Sequence, residues 1–489
     1  MTDQDASLLL TWAKLQGIVI HKNVSIQSTA DAGLGIFVTN PGEITGPIIS
    51  VPRSLVLTAA NIRILALSLN TTLLPLMSGS DQAISPREVI VRFILFSLKC
   101  PQVSSNYYTP YIALLPDPTK SDLVPPVFWT EEQIVKVRGT SLFFPLQAKQ
   151  RKLHADYDKV EARWSQVMKN HDPISFEDYV KADFLVTSRI MELGSDGEIG
   201  IVPVMDFANH GVQFDARYEI KPDEVELVWT DNGDIKEKEV LISYGTEKGT
   251  SEILFTYGFL VNEDEITRES VKMLVRKAPG LAEAVYGRPA TAELVVELAG
   301  DDVEIQWNCD LLWLLCMNAS DGFEISLPQI YDESEVELEV SIKGRTVNAK
   351  GDELIRAIKE EYDTDKEMKD VYELRRAAIL SEWITEWSND LVESELAYHK
   401  VPPDVLVEVT DGAASVESGS ELFDEVTESL RQRESNVFLM VLRKLEARQH
   451  ELLESESVKN YLISQSQEQQ EQQEQQDPII EESDEDNLR

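Results

Sequence analysis

The sequence is poor in residues that form disulfides or bind zinc. Its 489 residues include three cysteines, Cys100, Cys309 and Cys316, and six histidines. These cysteines form no Cys-x-x-Cys motif and no cluster with histidine, so the sequence supports neither a disulfide framework nor a structural zinc site. We therefore expect that the protein binds no metal.

The sequence also lacks long apolar runs and a basic N-terminal segment. No uninterrupted apolar run approaches the length that crosses a membrane. The N-terminus begins with acids and has no basic region before its short apolar patch, unlike a signal peptide. We therefore expect no membrane contact and a cytoplasmic location, with the nucleus also open to the protein.

Basic residues are also few in comparison with acidic residues. The chain has 45 Lys and Arg against 86 Asp and Glu, which gives a formal net charge of −41. Residues 464–489 hold nine acids and one base, so the rest of the chain is itself acidic. Such a charge disfavours direct nucleic-acid binding and favours basic protein partners, although an acidic surface can also serve solubility alone. The length predicts two or three folded units.

Two stretches carry the candidate functional residues. Val202–Gly211, VPVMDFANHG, combines an apolar approach with a carboxylate, an amide and an imidazole. Alone, its Asp-x-x-Asn-His pattern is also typical of a strand end and a turn. Residues 239–260, EVLISYGTEKGTSEILFTYGFL, predict a strand that ends in Tyr-Gly, a polar bend, and a short helix that leads to a second Tyr-Gly.

Glycine-containing turns supply a third signal. Gly33 and Gly35 allow a tight turn and a close backbone approach. Pro41-Gly42 lies between two apolar segments and predicts a hairpin. The sequence Asp-Asn-Gly-Asp at 231–234 likewise predicts a hairpin that joins strands near 225–229 and 240–244. The run 184–193 looks like a buried helix that carries Arg189, whose charge requires a partner.

In this order, the motifs resemble those of SET-domain methyltransferases, specifically the branch typified by the Rubisco large-subunit methyltransferase. The resemblance implies an α+β fold: a SET-domain β-fold of short strands, split by a helical insertion and followed by a mainly α-helical C-terminal domain that binds substrate. The implied parts are SET residues 18–60 and 184–262, an insertion at 61–183, and a helical domain at 263–460. We expect the Gln-rich acidic tail, 464–489, to be disordered.

The resemblance also implies transfer of a methyl group from S-adenosylmethionine to a protein lysine. Tyr257 would be the catalytic tyrosine near the methyl group, and Tyr244 would line the lysine channel, although a core tyrosine is an equal interpretation of Tyr244. A structural ion pair is a close rival for Arg189, and Asp206 is expected to brace the loop. The implied cofactor-binding residues are Ala32, Gly33, Leu34, Arg189, Asn209, His210 and Tyr257.

One departure from the family pattern leaves alternatives open. Lys248-Gly249-Thr250 stands where family members often have Lys-Ser-Asn. This departure favours one alternative, a non-catalytic SET-fold module that binds peptides. Separately, the sequence does not distinguish lysine from histidine as the methylated residue, because an imidazole and an amine present the same approach to the methyl donor. We expect a monomer that acts on a basic protein, such as a ribosomal protein or a translation factor.

Overall fold

The computed structural model divides the chain into two compact units. The first contains Met1–Ser270 and Glu395–Arg431, and the second contains Val271–Ser394 and Gln432–Arg489. The structure describes residues 3–29, 33–40, 42, 44, 46–69, 73–77, 84–101, 108–195, 197–230, 237–299, 302–316, 318–326, 339–347, 351–400 and 421–476.

The first unit contains short strands in small sheets. They are β1 Val19–Ile20, β2 Val24–Ser28, β3 Leu34–Thr39, β4 Pro47–Pro52, β5 Leu57–Thr58, β6 Met191–Glu192, β7 Ile199–Ile201, β8 Asn209–His210, β9 Ala216–Ile220, β10 Glu224–Trp229, β11 Glu237–Glu239 and β12 Leu241–Ile242. The sheet orders are β1-β4-β10-β9, β11-β3-β2 and β5-β7-β6, and β12 pairs with β8 in parallel.

Helices separate β5 from β6 in the chain. The helices of this unit are α1 Asp3–Leu15, α2 Ala59–Leu69, α3 Leu73–Leu76, α4 Pro86–Lys99, α5 Thr109–Ile112, α6 Glu131–Val135, α7 Phe143–Val167, α8 Phe176–Thr187 and α9 Thr250–Tyr257. Helix α4 begins as its sequence predicts: Pro86 occupies the first turn, where its missing N–H costs nothing, and the Ser85 side chain accepts a hydrogen bond from the Glu88 amide. Its apolar residues Phe93 and Ile94 are fully buried.

The second unit combines helices with two three-stranded sheets, which the sequence analysis did not predict. The strands are β13 Arg268–Leu274, β14 Thr291–Ala299, β15 Asp302–Asn308, β16 Phe323–Ser326, β17 Glu339–Ile342 and β18 Arg345–Val347. The helices are α10 Pro279–Tyr286, α11 Leu311–Leu315, α12 Gly351–Thr364, α13 Lys369–Lys400, α14 Glu421–Leu453 and α15 Glu456–Gln476. Strand β13 and helix α14 begin in the first unit and continue into the second, whereas helix α13 begins in the second unit and ends in the first.

Both hairpin predictions are wrong. Strand β3 pairs with β2 and β11, whereas β4 pairs with β1 and β10, so the strands before and after Pro41-Gly42 belong to different sheets. Strand β10 pairs with β4 and β9, and β11 pairs with β3. The physical reason is that a turn signal is local, whereas burial selects the pairing partner. In β4, Ile48, Ile49 and Val51 are almost fully buried, which suits an inner strand.

Other boundaries also differ from the sequence expectations. Helix α8 ends at Thr187, so Arg189 lies beyond it and not within a helix. Residues 464–476 of the expected disordered tail lie in α15, and the remainder lies outside the described residues. Gln and Glu are good helix formers, which accounts for the helical conformation of this segment. Residues 413–420 are small and polar, a composition that predicts a flexible link between helices, and they also lie outside the described residues.

Two features are absent from the described residues. In this part of the chain, no helix combines the length and apolar character needed to cross a membrane. Within the same ranges, no three His, Cys, Asp or Glu side chains form a group that could hold a metal ion.

Candidate active site

Two tyrosines meet next to the β8–β12 pair of the first unit. Tyr244 follows β12, and Tyr257 is the last residue of α9, with their ring centroids 4.4 Å apart. Gly258 ends α9 with a φ of 83°, a left-handed conformation that glycine adopts without strain. The turn brings the Phe259 ring to 6.2 Å from that of Tyr257. The two tyrosines that the motifs indicated therefore form one aromatic cluster.

The hydroxyls of both tyrosines donate to backbone carbonyls. The Tyr244 hydroxyl donates to Ala208 O at 3.0 Å, and the Tyr257 hydroxyl donates to Tyr244 O at 3.3 Å. A phenol has one proton, so each oxygen keeps its lone pairs as acceptors. Burial raises the pKa of Tyr257 to about 12 and holds the pKa of Tyr244 above its usual range. Both groups are therefore neutral acceptors at physiological pH and not phenolate bases.

His210 supports the backbone of Tyr244. Its Nδ1 accepts a hydrogen bond from the Tyr244 amide at 3.2 Å, and the two ring centroids are 5.3 Å apart. Burial lowers the pKa of His210 below 6.5. The neutral imidazole is the state in which Nδ1 accepts a proton donor, so the hydrogen bond and the lowered pKa agree.

The Asn209 side chain connects this cluster with the Gly-x-Gly strand. Its Nδ2 donates to Glu239 Oε1 at 2.7 Å and to Leu34 O at 3.3 Å. Gly33 has a φ of 82° and its carbonyl accepts from the Thr29 amide at 2.7 Å, which closes the turn. The Asn209 side chain thus contacts the segment that contains Gly33 and Leu34, two other predicted cofactor residues. A further predicted cofactor residue, Ala32, lies outside the described residues.

We expect Gly35→Ala to weaken cofactor binding by at least about tenfold, because the methyl group would displace the Asn209 amide. A Cβ at Gly35 would lie 2.6 Å from Glu239 Oε1, 2.8 Å from Thr29 Cγ2 and 3.2 Å from Asn209 Nδ2. Calorimetric titration measures this loss. Gly42→Ala is a suitable control, since its Cβ would meet nothing within 4 Å. Equal affinity in the two variants would contradict the close approach.

Arg189 forms a largely buried ion pair with Asp206. Its Nε lies 3.3 Å from Asp206 Oδ2, and the two side chains are 13% and 3% exposed. The same carboxylate oxygen accepts from the Tyr111 hydroxyl at 2.5 Å. Burial raises the pKa of Asp206 to about 6, and the Arg189 charge opposes this rise. The geometry favours the structural ion pair for Arg189 over an open position in a ligand pocket.

Backbone strain marks the segment between Asp206 and the preceding strand. Val204 is fully buried and has φ 76° and ψ −44°. A β-branched residue at positive φ is an outlier, and such a sparsely populated backbone conformation costs about 1–3 kcal/mol. The single turn Met205–Phe207 follows directly and leads the chain into β8. Strain of this kind concentrates at functional sites, where the surrounding structure holds it.

No family model matches the chain. Three relatives match part of it. SET domain-containing protein 8 of Schizosaccharomyces pombe is 26% identical over 239 residues, 48% of this chain and 53% of that protein. The chloroplastic fructose-bisphosphate aldolase-lysine N-methyltransferase of Arabidopsis thaliana is 23% identical over 262 residues, or 51% of this chain and 50% of that protein. The chloroplastic Rubisco large-subunit N-methyltransferase of Pisum sativum is 21% identical over 261 residues, with the same coverage. The chain thus spans about half the length of these relatives.

Solved structures extend the similarity to nearly the whole chain. The SET domain of LSMT, the large-subunit methyltransferase, bound to lysine and AdoHcy covers 99% of this chain and 98% of that chain, with a TM-score of 0.59 and 14% identity. The complex of that domain with methyllysine and AdoHcy has a TM-score of 0.58 and 16% identity over 93% of this chain and 95% of that chain. The chain has the fold of these SET domains. The fold class and the resemblance drawn from the motifs are confirmed.

The loop Lys248-Gly249-Thr250, which departs from the family pattern, contacts Glu269 and Ser270. A Cβ at Gly249 would lie 1.8 Å from Ser270 O, so only glycine fits there. The Thr250 amide donates to Glu269 Oε1 at 2.7 Å, and the Thr250 hydroxyl also donates to this buried carboxylate. These bonds fix the first residue of α9, the helix that ends at Tyr257. Glu269, which lies outside the motif, therefore holds the Gly249-Thr250 loop in place.

Sequence reasoning missed two side chains of the SET site. The Tyr218 hydroxyl donates to Met205 O at 3.0 Å, and burial, reinforced by the neighbouring Tyr244, holds the pKa of Tyr218 well above its usual range. Glu239 holds the Asn209 amide. The only signal in the sequence was the alternation of β9, which puts Tyr218 on the same face as buried Ala216.

Proposed function

We propose that this protein is an S-adenosylmethionine-dependent protein-lysine N-methyltransferase. The observation that carries the proposal is the Tyr244–Tyr257 pair, with both hydroxyls kept neutral and accepting, beside the Asn209–His210 strand of a SET fold. The names of the two plant relatives and the ligands of the solved neighbours support it.

The residues present fit S-adenosylmethionine. This ligand carries an ammonium group and an adenine amino group, which require hydrogen-bond acceptors. The Asn209 amide uses its Nδ2 on Leu34 and Glu239, so Oδ1 is the atom that it offers to a ligand. Among the described residues, no atom would lie within 4 Å of a Cβ at Gly33, so these residues leave room for a ligand beside its backbone. When bound, the cofactor would supply an electrophilic methyl group.

The tyrosine cluster suits a lysine amine as the acceptor of that methyl group. A lysine has an unperturbed pKa of about 10.4 and must lose a proton before it is a nucleophile. Apolar ring surfaces remove water from the ammonium and thereby lower its pKa. The hydroxyl oxygens of Tyr244 and Tyr257 accept N–H bonds and orient the amine, and such positioning supplies much of the rate in a bimolecular step.

We infer a basic, non-histone protein as the substrate, with a ribosomal protein or a translation factor as the first class to test. The supporting observation is the net charge of −41, which attracts basic partners and repels nucleic acid. The protein would act as a monomer in the cytoplasm or the nucleus, and it would not bind membranes.

Two alternatives receive less support from the geometry. A non-catalytic peptide-binding module has no chemical need for the paired tyrosines, and its one favourable feature, the Gly249-Thr250 loop, is compensated by Glu269. A histidine side chain could also accept the methyl group, because its ring nitrogen can approach the methyl donor in the same way as a lysine amine. The activity test distinguishes these two acceptors.

We expect Asn209→Ala to abolish the binding of S-adenosylmethionine, because it removes the acceptor Oδ1 and the bond to Glu239. Calorimetric titration of the wild type should give an affinity in the roughly micromolar range. Asn262→Ala is the matched control, since the Asn262 side chain makes no capping bond at its turn. Full binding by a folded Asn209→Ala variant would contradict the site, and no binding by folded wild type would overturn the proposed function.

A further inference from the structure

The Glu239 carboxylate has no cationic partner in the described part of the chain. It lies at the end of β11, opposite Phe37 of β3. Its neighbours on the strand are engaged elsewhere: Lys238 pairs with Asp215 at 2.6 Å, and Glu237 accepts from Gln27 at 2.8 Å. Glu239 instead accepts one hydrogen bond, from the neutral amide of Asn209 at 2.7 Å. A charge without a counter-charge is unfavourable in a partly buried position unless a ligand supplies the counter-charge.

The hydrogen bonds of Asn209 define what a ligand must bring. Its Nδ2 has two protons, and Leu34 O and Glu239 Oε1 accept both of them. Among the described residues, none donates to Asn209 Oδ1. The amide is thus held in one orientation and offers a ligand only an acceptor. The Glu239 carboxylate next to it also offers only acceptors, so the two groups together select a donor that is positively charged.

The second glycine of the Gly-x-Gly segment leaves room for this pair. A Cβ at Gly35 would lie 2.6 Å from Glu239 Oε1 and 3.2 Å from Asn209 Nδ2. The carboxylate and the amide therefore lie directly against the backbone of the segment to which the cofactor role was assigned. A side chain at Gly35 would push both away from it.

We propose that Glu239 is a cofactor-site residue whose carboxylate provides the counter-charge for the ammonium group of S-adenosylmethionine. This assignment rests on the proposed function. The amino-acid end of the cofactor carries three N–H donors on a positive nitrogen, which match Asn209 Oδ1 and the carboxylate of Glu239. Hydrogen bonds between charged groups are stronger than those between neutral groups, so the Glu239 contact contributes affinity as well as orientation.

The substitution Glu239→Gln tests the effect of the negative charge on ligand binding while it keeps the shape of the side chain. Glutamine keeps an oxygen that can accept from Asn209 and removes the negative charge. The variant is titrated with three ligands: S-adenosylmethionine, S-adenosylhomocysteine, which keeps the ammonium and lacks the charged sulfonium, and methylthioadenosine, which lacks the amino-acid end. We expect the first two to bind about tenfold more weakly than to wild type, and methylthioadenosine to bind equally well. Glu237→Gln, on the same strand, should change none of the three.

Three results would overturn the assignment. Equal losses for all three ligands would indicate a structural role, a loss for S-adenosylmethionine alone would assign the charge to the sulfonium, and no loss would remove Glu239 from the site. Wild-type protein that binds none of the ligands would instead refute the proposed function itself. A cooperative thermal unfolding transition close to that of the wild type establishes that each of the two variants is folded.

Discussion

Tyr257→Phe should lower kcat for methyl transfer by on the order of 100-fold and leave S-adenosylmethionine binding unchanged. The substitution keeps the ring, which packs 4.4 Å from that of Tyr244, and removes the hydroxyl oxygen that would accept an N–H of the substrate amine. The lost oxygen also releases its bond to the Tyr244 carbonyl, so the tyrosine pair loses its fixed geometry. A misplaced amine approaches the methyl group out of line.

Separate measurements of binding and turnover test this prediction. Calorimetry gives the cofactor affinity, and incorporation of labelled methyl into protein gives the rate. Tyr157→Phe is the matched control, because the Tyr157 hydroxyl also donates to a backbone carbonyl, that of Ile174 at 3.1 Å, in the same unit. Unchanged kcat in Tyr257→Phe would mean that Tyr257 is a core residue with a satisfied hydroxyl.

Arg189→Met should reduce the free energy of unfolding by about 3 kcal/mol, because it leaves a buried carboxyl without its charge partner. Asp206 is 3% exposed, and Arg189 is 13% exposed. By comparison, Arg217→Met breaks an exposed pair with Glu219, with side chains 59% and 38% exposed, and should cost less than about 1 kcal/mol. Urea unfolding of both variants gives the comparison.

The cost of Arg189→Met should be larger at pH 8 than at pH 5. Burial already raises the pKa of Asp206 to about 6, and Arg189 opposes that rise. Without Arg189 the folded-state pKa rises further above that of the unfolded chain. A group with a raised folded-state pKa is favourable at low pH and loses that contribution as the pH rises. At pH 5 the carboxyl takes up a proton and the penalty shrinks. A cost that does not depend on pH would show that the charge of Asp206 is not responsible.

The residues of the candidate site could be predicted because they lie in short motifs of fixed order. Tyr244, Tyr257, Asn209 and His210 were named from two stretches, and the structure brings all four together. Local signals at single helices were also sufficient. The side chain of Ser85 and the position of Pro86 fix the start of α4, whichever other elements surround it.

Pairing between distant strands could not be predicted from the same signals. Pro-Gly and Asn-Gly turns indicate only that the chain turns. They do not show that β3 would pair with β11, because that choice depends on which faces are buried in the whole unit. Arg189 is a similar case: its charge predicted a partner, but the assignment to Asp206 needed the three-dimensional structure.

The supporting residues were missed for a related reason. Glu239 and Glu269 act on Asn209 and Thr250, which are 30 and 19 positions away in the chain. An acidic residue in a chain with 86 of them carries no distinguishing mark in the sequence. Only the packing of Gly35 and Gly249 against these carboxylates identifies them, since each glycine makes room for one.

Incubation of the purified full chain with methyl-tritiated S-adenosylmethionine and a basic protein fraction tests the central claim most directly. Acid hydrolysis of the labelled proteins then identifies the modified residue. We predict label in ε-N-methyllysine with wild type and almost none with Tyr257→Phe. Label in methylhistidine would contradict the lysine assignment, and the absence of label with a folded wild type that binds the cofactor would contradict a methyltransferase acting on that fraction.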